Sequence, residues 1–305
     1  RNRIDALDQK LVDLLNDRAR AAAQIGRLKQ KMTAPVFVPA REREVLRRVR
    51  DRNRGPLNPE ALEAIYREII SASRALERRL TIAYFGPATT FTHQAARLRF
   101  GAGVDYRPCE TIGDVFDVVQ KGGADYGVVP IENSTEGAVT HTLDEFAGSP
   151  LRICAEIYLP IAHHLMARGP RAGIRRVTSH PQVLAQCRRW LRDEMPSVDI
   201  LPAASTARAA ELAARDRRLA AIAGILAADQ YGLRVLAADI QDLSGNTTRF
   251  LVLGRACASP SGDDKTSLLF AVKHKAGALH SALGAFKQAR LNLTKIESRP
   301  NKLKA

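Results

Sequence analysis

The sequence has few aromatic residues, few cysteines and no long apolar run. Aromatic side chains make up 5% of its 305 residues. The four cysteines lie far apart, without the close pairs that zinc and redox motifs use: Cys109, Cys154, Cys187 and Cys257. No stretch approaches the roughly 18 consecutive apolar residues that a membrane span needs, and the first residues are charged rather than signal-like. We therefore expect a cytoplasmic protein without a membrane segment, a metal or a cofactor.

The formal net charge of +15 is unevenly distributed along the chain. Residues 1–80 contribute +8, residues 81–262 contribute +1 and residues 263–305 contribute +6. Nucleic-acid-binding proteins usually interleave aromatic residues with basic ones, whereas these basic segments contain almost no aromatic residues. Small anionic substrates explain the excess as well, because a positive potential raises the capture rate of dianions. We expect small-molecule partners and no nucleic acid.

The first 80 residues predict a domain of three helices. The helices are expected over residues 1–32, about 40–53 and 58–80. The first is indicated by apolar residues spaced three and four apart, and the third by Asn58 as N-cap with Pro59 in the first turn. Three helices enclose little by themselves, so the apolar face of the first helix suggests pairing with a second copy of the chain, in a homodimer or a higher homo-oligomer.

Short apolar runs alternate with helical segments from residue 81 onward. The runs lie at residues 82–85, 127–131, 153–160, 176–179, 220–224 and 250–253. This alternation predicts an α/β domain over residues 81–258 with a mostly parallel sheet. After a polar linker, the segment 264–305 predicts a strand over 267–273 and a helix over 277–289.

Two cations lie on or beside the apolar face of the first helix. Arg18 and Lys29 are separated by about 16 Å along the axis, at about 1.5 Å per residue. Such side chains can extend to solvent at the margin of an apolar face. They can also form an inward-facing site for an anion, and the pattern alone leaves both interpretations open.

The helical domain resembles the all-helical chorismate mutases. The resemblance rests on Arg1-Asn-Arg-Ile-Asp-Ala-Leu-Asp8, Asn16-Asp-Arg18, Gly26-Arg-Leu-Lys29, Arg41-Glu42 and Ile69-Ile-Ser-Ala-Ser-Arg-Ala-Leu-Glu77. It implies an intertwined homodimer over residues 1–80. Chorismate rearranges by a unimolecular pericyclic shift, so fixed cations only have to hold its compact form and stabilise charge that develops on the ether oxygen.

The mutase resemblance implies roles for particular side chains. Arg18 and Arg1 of the partner subunit would hold the carboxylates, Lys29 would reach the ether oxygen, Glu42 would bind the hydroxyl, and Arg41 and Ser73 would support substrate binding. Glu77 stands where some relatives have Gln, and Val38 where some have Asp. Because a glutamate donates to the ether oxygen only when protonated, we expect mutase activity to fall as pH rises.

Four polar segments beside predicted strands and helices carry a second resemblance. They are Tyr84-Phe-Gly-Pro-Ala-Thr-Thr-Phe-Thr-His-Gln-Ala-Ala96, Pro130-Ile-Glu-Asn-Ser-Thr-Glu-Gly137, Thr178-Ser-His-Pro-Gln-Val-Leu-Ala-Gln-Cys187 and Gly245-Asn-Thr-Thr-Arg-Phe-Leu-Val-Leu253. The first suits an anion held at a helix N-terminus. In this order the segments resemble prephenate dehydratase, which implies two α/β lobes with the site in the cleft between them.

The dehydratase resemblance implies that Thr248 lies near the ring hydroxyl that leaves, as an acid or as a hydrogen-bond partner. Arg249 could bind a carboxylate. The substrate would be oriented by Thr90, Asn133, Ser134, Ser179, His180 and Gln186. Ala88 and Thr89 stand where many relatives have an acidic residue and a glycine. If that glycine permits close approach of the substrate or a positive φ, we expect Thr89 to reduce dehydratase activity.

The last segment resembles the phenylalanine-binding ACT regulatory domain. The motifs are Lys275-Ala-Gly-Ala-Leu279 and Asn292-Leu-Thr-Lys-Ile-Glu-Ser-Arg-Pro300. They imply feedback inhibition through phenylalanine bound at a dimer interface by Gly277, Ala278, Leu279, Asn292, Glu297 and Ser298. The sequence ends at Ala305, before the remaining strands of such a domain, so we expect a partial ACT domain with an unpaired edge.

Three classes of function fit parts of the sequence. A bifunctional enzyme of phenylalanine synthesis would rearrange chorismate to prephenate and then dehydrate and decarboxylate prephenate to phenylpyruvate. A non-catalytic small-molecule sensor is the second class, since clefts and ACT-like modules also serve binding proteins. A nucleic-acid-binding protein is the third. Only the enzyme explains mutase-like cations in one domain together with a Thr248 hydroxyl in another.

Overall fold

The computed structural model describes residues 1–32 and 35–299. The chain forms two compact units, residues 1–261 and residues 262–305. The predicted break at residues 33–35 lies at Thr33 and Ala34 outside the described residues. Among the described helices, none is both long enough and apolar enough to cross a membrane.

Three helices build the first part of the larger unit. They are α1 (Asn2–Lys31), α2 (Pro39–Arg52) and α3 (Pro59–Glu77). α1 has 30 residues and is therefore about 45 Å long. Pro39 and Pro59 occupy the first turns of α2 and α3, where a missing N–H costs nothing, and the Asn58 side chain caps α3 by accepting from the Ala61 amide. The local sequence therefore sets where α2 and α3 begin, whereas α3 ends at Glu77 rather than at Leu80.

The first α/β lobe contains one sheet with helices on both faces. Its elements are β1 (Thr81–Phe85), α4 (Phe91–Phe100), β2 (Asp105–Cys109), α5 (Ile112–Gln120), β3 (Tyr126–Asn133), β4 (Gly137–Ala138), α6 (Thr140–Glu145), β5 (Arg152–Pro160) and β11 (Thr247–Gly254). The strand order is β2-β1-β3-β11-β5, and β4 pairs with β3. One apolar cluster packs beneath α4 and another beneath α5, so the central strands are buried on both faces.

The second lobe is inserted between β5 and β11. Its elements are β6 (His164–Ala167), a 3-10 helix (Arg171–Gly173), β7 (Arg176–Ser179), α7 (Pro181–Gln186), α8 (Arg188–Glu194), β8 (Asp199–Pro202), α9 (Thr206–Arg215), β9 (Leu219–Ala223), α10 (Leu226–Tyr231) and β10 (Arg234–Ala237). The strand order is β10-β6-β9-β7-β8. Apolar clusters again cover both faces of the sheet.

The prediction of a mostly parallel sheet is wrong. β1 runs parallel to β2 and β3, but β11 runs antiparallel to both β3 and β5. In the second lobe β7 is parallel to β8 and β9, whereas β6 is antiparallel to β9 and β10. In the first lobe, β5 leads into the second lobe and β11 returns from it. These two neighbouring strands therefore run in opposite directions.

The smaller unit contains one helix among its described residues, α11 (Ala278–Gln288), in agreement with the helix predicted over 277–289. Gly277 precedes it with a φ of 77°, a conformation that favours glycine. The strand predicted over 267–273 is not formed in the described part of the unit. An apolar run forms a strand only when a partner strand satisfies its backbone amides, and the described residues of this unit supply none.

Candidate active sites

Polar side chains of α1 and α3 meet where these two helices pack together, a region that we call the groove. Arg18 Nη1 donates to the Ser73 hydroxyl at 2.6 Å. The same hydroxyl donates to the carbonyl of Ile69, one turn earlier on α3. Lys29 Nζ lies 3.4 Å from Glu77 Oε2. Ser73 and Glu77 are four residues apart on α3 and share one face. The structure thus brings together four of the residues predicted for the mutase site.

Gly26 allows α1 to approach α3 beside this groove. A Cβ at Gly26 would lie 2.5 Å from Glu77 Cγ, well inside van der Waals contact. The glycine therefore lets the Glu77 carboxylate reach Lys29. A glycine inside a helix costs about 0.5–1 kcal/mol relative to alanine, so its presence here has a packing reason.

Glu42, also predicted for the mutase site, is buried near the start of α2. Its carboxylate oxygens lie 3.2 Å from Arg74 Nη1 and 3.7 Å from Arg99 Nη2. Burial raises the pKa of Glu42, while the charges of Arg74, Arg99 and Lys29 oppose that rise. Neither Arg74 nor Arg99 was predicted from the sequence as a site residue. Arg99 belongs to α4, and no local sequence pattern links it to Glu42.

Two other predicted mutase residues lie apart from this group. Arg41 is exposed and pairs with Glu44 at 2.6 Å, one turn along α2. Arg1 is exposed at the start of α1, where its carbonyl accepts from the Ile4 and Asp5 amides. Within one chain, neither side chain reaches the groove.

A second polar site lies in the first α/β lobe, where β3 and β11 run side by side. Asn133 pairs with Thr248 in the register of these strands. Asn133 Nδ2 donates to Thr248 Oγ1 at 2.8 Å and to Asn246 Oδ1 at 2.7 Å. Asn133 Oδ1 accepts from the backbone amides of Thr135 and Glu136, which fixes the orientation of the side-chain amide.

The direction of the Asn133 bond determines what Thr248 can do. Because Thr248 Oγ1 accepts from Asn133, the hydroxyl hydrogen of Thr248 remains available for another partner. Ser134 adds a second link between the strands, since its hydroxyl accepts from the Thr247 amide at 2.9 Å and contacts Asn246 Oδ1 at 3.5 Å. Asn246 is buried and was not predicted, although it lies within a segment that the resemblance uses.

The second lobe faces this site through α7. The Gln186 amide nitrogen donates to Glu136 at 3.1 Å, and Gln182 donates to the same carboxylate oxygen. Gln186 Oε1 accepts from His163 Nε2 at 2.8 Å. Burial is the main cause of a lowered His163 pKa, so this imidazole is neutral near pH 7. Glu136 thus connects the two lobes across the cleft, and sequence reasoning missed both Glu136 and His163.

Two predicted substrate-binding residues of the second lobe differ in placement. Ser179 is fully buried, and its hydroxyl donates to the Ile222 carbonyl of β9 at 2.6 Å. His180 is half-buried at the N-cap position of α7, where its side chain makes no capping bond. The Ser179 hydroxyl therefore joins two strands, while His180 stands at the start of α7, the helix whose two glutamines contact Glu136 of the first lobe.

Thr90 caps α4 through its hydroxyl, which accepts from the His93 amide at 3.3 Å. The preceding residue, Thr89, has a φ of 71° and is buried. A β-branched residue in this left-handed conformation is strained by about 1–3 kcal/mol. The positive φ that would favour glycine at this position is therefore present, whereas the effect of Thr89 on activity stays a prediction. Phe91 follows and packs against His163, which brings the start of α4 to the second lobe.

Arg249 does not face the same side of the sheet as Thr248. Successive side chains of a strand point to opposite faces, and Arg249 pairs with Glu156 and lies 3.5 Å from Glu132. The prediction that Arg249 binds a substrate carboxylate is therefore not supported, since two protein carboxylates on the far face already neutralise it.

A cavity of about 400 Å³ lies in the first lobe beside α4. Tyr84 stacks on His93 with ring centroids 4.6 Å apart, and both line this cavity together with Arg97 and Tyr106. Burial lowers the pKa of His93 to about 4 and raises that of Tyr84 to about 12. Both rings are neutral at physiological pH, so neither of them supplies the cavity with an acid or base poised near pH 7.

The residues predicted to bind phenylalanine lie in the smaller unit. Gly277, Ala278 and Leu279 form the start of α11, and Asn292 follows its end as an exposed residue. Glu297 pairs with Lys295 at 3.6 Å. Ser298 is exposed as well.

The described residues define a two-domain enzyme fold, with a helical domain followed by a two-lobed α/β domain, and a polar site in each. The chorismate mutase type II family matches residues 1–78, and the prephenate dehydratase family matches residues 82–258. The chain belongs to the bifunctional chorismate mutase/prephenate dehydratase family. This confirms the chorismate mutase and prephenate dehydratase resemblances and the enzymatic function predicted from the sequence.

Individual relatives agree with this assignment. The chain is 48% identical to the bifunctional chorismate mutase/prephenate dehydratase of Aquifex aeolicus over 310 residues, which span 100% of this chain and 86% of the relative. It is 44% identical to the enzyme of the same name from Pseudomonas aeruginosa, over 99% of this chain and 85% of the relative. The prephenate dehydratase of Arthrobacter aurescens, solved in complex with L-Phe, is 35% identical with a TM-score of 0.63, over 73% of this chain and 76% of that structure.

Proposed function

We propose that the groove between α1 and α3 rearranges chorismate to prephenate and that the cleft beside Thr248 converts prephenate to phenylpyruvate. The observation that carries the proposal is the bond from Asn133 to Thr248, which leaves the threonine hydroxyl hydrogen available. The mutase assignment is supported by the contacts of Arg18 with Ser73 and of Lys29 with Glu77 on one face of α3.

In the mutase groove, catalysis requires only positioning and charge. Arg18 would bind a carboxylate, and Lys29 would donate to the ether oxygen as negative charge develops there. Lys29 pairs with Glu77 in the free enzyme, so the substrate must share or displace this contact. Glu42 would accept from the substrate hydroxyl. The reaction rearranges bonds within one molecule, so no proton or electron has to be supplied.

In the cleft, prephenate loses its ring carboxylate as carbon dioxide while the ring hydroxyl leaves as water. The electron pair of the broken carbon–carbon bond enters the ring, the carbon–oxygen bond breaks, and the leaving oxygen takes up one proton from solvent to become water. Thr248 would donate a hydrogen bond to that oxygen, because its own oxygen is already held by Asn133. Gln186 would orient the substrate from the second lobe. The aromatic product provides the driving force.

The apolar face of α1 supports the proposal of an intertwined homodimer. Ile4, Leu7, Leu11 and Leu14 are each more than half exposed in the single chain. A run of apolar side chains along a helix of this length is favourable only when another surface covers it. In such a dimer Arg1 of the partner subunit would complete the groove beside Arg18.

Phenylalanine is the effector that we propose for the smaller unit. The structure of the Arthrobacter aurescens relative holds L-Phe, and the segment from Gly277 to Leu279 resembles the ACT domain that binds it. We propose that the described part of this unit is an incomplete ACT domain. The metabolic role and the four free thiols also support a cytoplasmic location.

The test is a time course with chorismate as the sole substrate, in which prephenate and phenylpyruvate are measured separately. Transient prephenate followed by phenylpyruvate supports both assignments. Prephenate alone would place the defect in the cleft and implicate strained Thr89. No turnover with retained ligand binding would favour a sensor, whereas retention on DNA at physiological salt with a steep salt dependence would favour a nucleic-acid-binding protein.

A further inference from the structure

A buried cluster of charges joins the helical domain to the first α/β lobe. Its members are Glu42 on α2, Arg74 on α3 and Arg99 on α4, with exposed side-chain fractions of 11%, 7% and 16%. Both guanidinium groups lie over the Phe37 ring, at 5.4 Å for Arg74 and 5.1 Å for Arg99. The cluster therefore consists of one carboxylate and two guanidinium groups, both of which pack on the same aromatic ring.

Stabilising the contact between the two domains does not by itself explain why this cluster is charged. Burying charges carries a desolvation penalty, and apolar residues of similar volume stabilise such a position equally well or better. The hydrogen bonding is also incomplete, because Glu42 Oε1, Arg74 Nε and Arg99 Nε are buried without a hydrogen-bond partner among the described residues. A role for the charges themselves explains the arrangement better than adhesion does.

The two arginines come from different domains. Arg74 belongs to the helical domain and donates to the Phe100 carbonyl at 2.7 Å, which ties α3 to the end of α4. Arg99 belongs to α4 itself, a helix of 10 residues, about 15 Å long, whose first residue, Phe91, packs on His163 at the dehydratase cleft. One end of α4 therefore borders the dehydratase site, and the other contacts a mutase residue.

We infer that Arg99 positions the Glu42 carboxylate for the mutase reaction, so that the mutase depends on a side chain supplied by the dehydratase domain. The inference rests on the proposed role of Glu42 in binding the substrate hydroxyl. Arg99 orients the carboxylate and keeps it ionised, as an acceptor must be. It acts through Glu42 and does not touch the substrate, so it is a positioning residue.

The groups that face Glu42 determine the sign of a pH effect. Arg74 from α3, Arg99 from α4 and Lys29 from α1 all favour its ionised form against burial. Replacing Arg99 by an uncharged residue therefore raises the pKa of Glu42. The acid limb of the mutase pH profile then moves to higher pH, which a purely structural contact would not cause.

The experiment uses the full chain with Arg99→Met, which keeps the packing over Phe37 but removes the charge. The matched control is Arg97→Met, an exposed arginine on the same helix. We expect Arg99→Met to lower mutase kcat/KM at pH 7 by about tenfold, which corresponds to about 1.4 kcal/mol of lost transition-state stabilisation. Dehydratase activity on supplied prephenate should stay within about twofold, and raising the pH should reduce the deficit in mutase activity relative to wild type measured at the same pH.

Glu42→Ala and the double variant Glu42→Ala/Arg99→Met separate the ways in which the inference can fail. If Arg99 acts through Glu42, the double variant loses no more mutase activity than Glu42→Ala alone. Wild-type mutase kinetics and pH profile in Arg99→Met, with Glu42→Ala impaired, would overturn the inference and leave the role of Glu42 intact. An unimpaired Glu42→Ala would refute the role of Glu42 and the inference with it. Should Arg99→Met unfold, Arg99→Gln is measured against the same criteria.

Discussion

The bond from Asn133 to Thr248 makes the substitution Asn133→Asp informative. The two side chains have the same shape, and the oxygen that accepts from the Thr135 and Glu136 amides is unchanged. The other position changes from an N–H donor to a carboxylate oxygen, 2.8 Å from Thr248 Oγ1. The threonine hydroxyl must then donate to this new carboxylate oxygen instead of to the substrate.

The size of the effect follows from this reversal. A hydrogen bond to a charged group contributes about 1.5–3 kcal/mol net, and this bond has to break before Thr248 can donate to the leaving hydroxyl. At about 1.4 kcal/mol per factor of ten, the dehydratase kcat should fall by about 10- to 150-fold. The added negative charge should also raise KM, because prephenate is a dianion.

The assay measures phenylpyruvate formation from supplied prephenate, with kcat and KM determined separately. Mutase activity in the same preparation serves as the folding control, since Asn133 belongs to the α/β domain and the groove between α1 and α3 to the helical one. Thr248→Ser, which keeps a hydroxyl, is the matched variant and should retain most of the activity. A kcat within about threefold of wild type for Asn133→Asp would refute the proposed direction of this bond, because even the weakest charged hydrogen bond implies a larger loss.

The remaining predictions concern the separation of the two sites and the mutase groove. Arg18→Ala should remove mutase activity while sparing dehydratase activity, and Thr248→Ala should do the reverse; loss of both in either variant would indicate misfolding or coupled domains. Glu77→Gln supplies a donor at every pH, so its mutase rate should exceed wild type at alkaline pH by about fivefold, the value of one neutral hydrogen bond, and a flat wild-type pH profile would contradict this. Gly26→Ala should lower mutase activity, because its Cβ would displace Glu77 from Lys29, and unchanged kinetics would show that this contact is dispensable.

The sequence predicted the elements whose signals are local. Asn58 as N-cap and Pro59 in the first turn located the start of α3, and buried strands such as β7 and β9 were visible as short apolar runs. Five of the described strands were missed, and three of them, β2, β8 and β10, lie at sheet edges, where exposed side chains leave no apolar run: β8 is exposed along its whole length. The other two are the two-residue strand β4 and the buried inner strand β6, whose four residues are too short a run to stand out. Strand direction was mispredicted because it depends on where the chain returns from the second lobe.

In the candidate sites, too, residues with a local sequence signal could be predicted, and residues defined by distant partners could not. Arg18 and Lys29 could be selected because they lie on one helix, and family resemblance selected Thr248 and Asn133, whose roles remain predictions. Arg99 and His163 could not be selected. Each is defined by a partner distant in sequence, and neither belongs to a segment with an unusual local pattern. The far-face position of Arg249 follows from strand alternation and could have been anticipated next to Thr248.

The position of β11 has a consequence for synthesis of the protein. This strand lies between β3 and β5, yet it is the last strand of the larger unit to leave the ribosome, and it joins Thr248 to Asn133 across more than a hundred residues of chain. The sheet of the first lobe therefore stays open until the whole second lobe has been made. A nascent chain can assemble its helical domain early, but its dehydratase centre forms only at the end, which leaves the unpaired edges of β3 and β5 in need of protection until then.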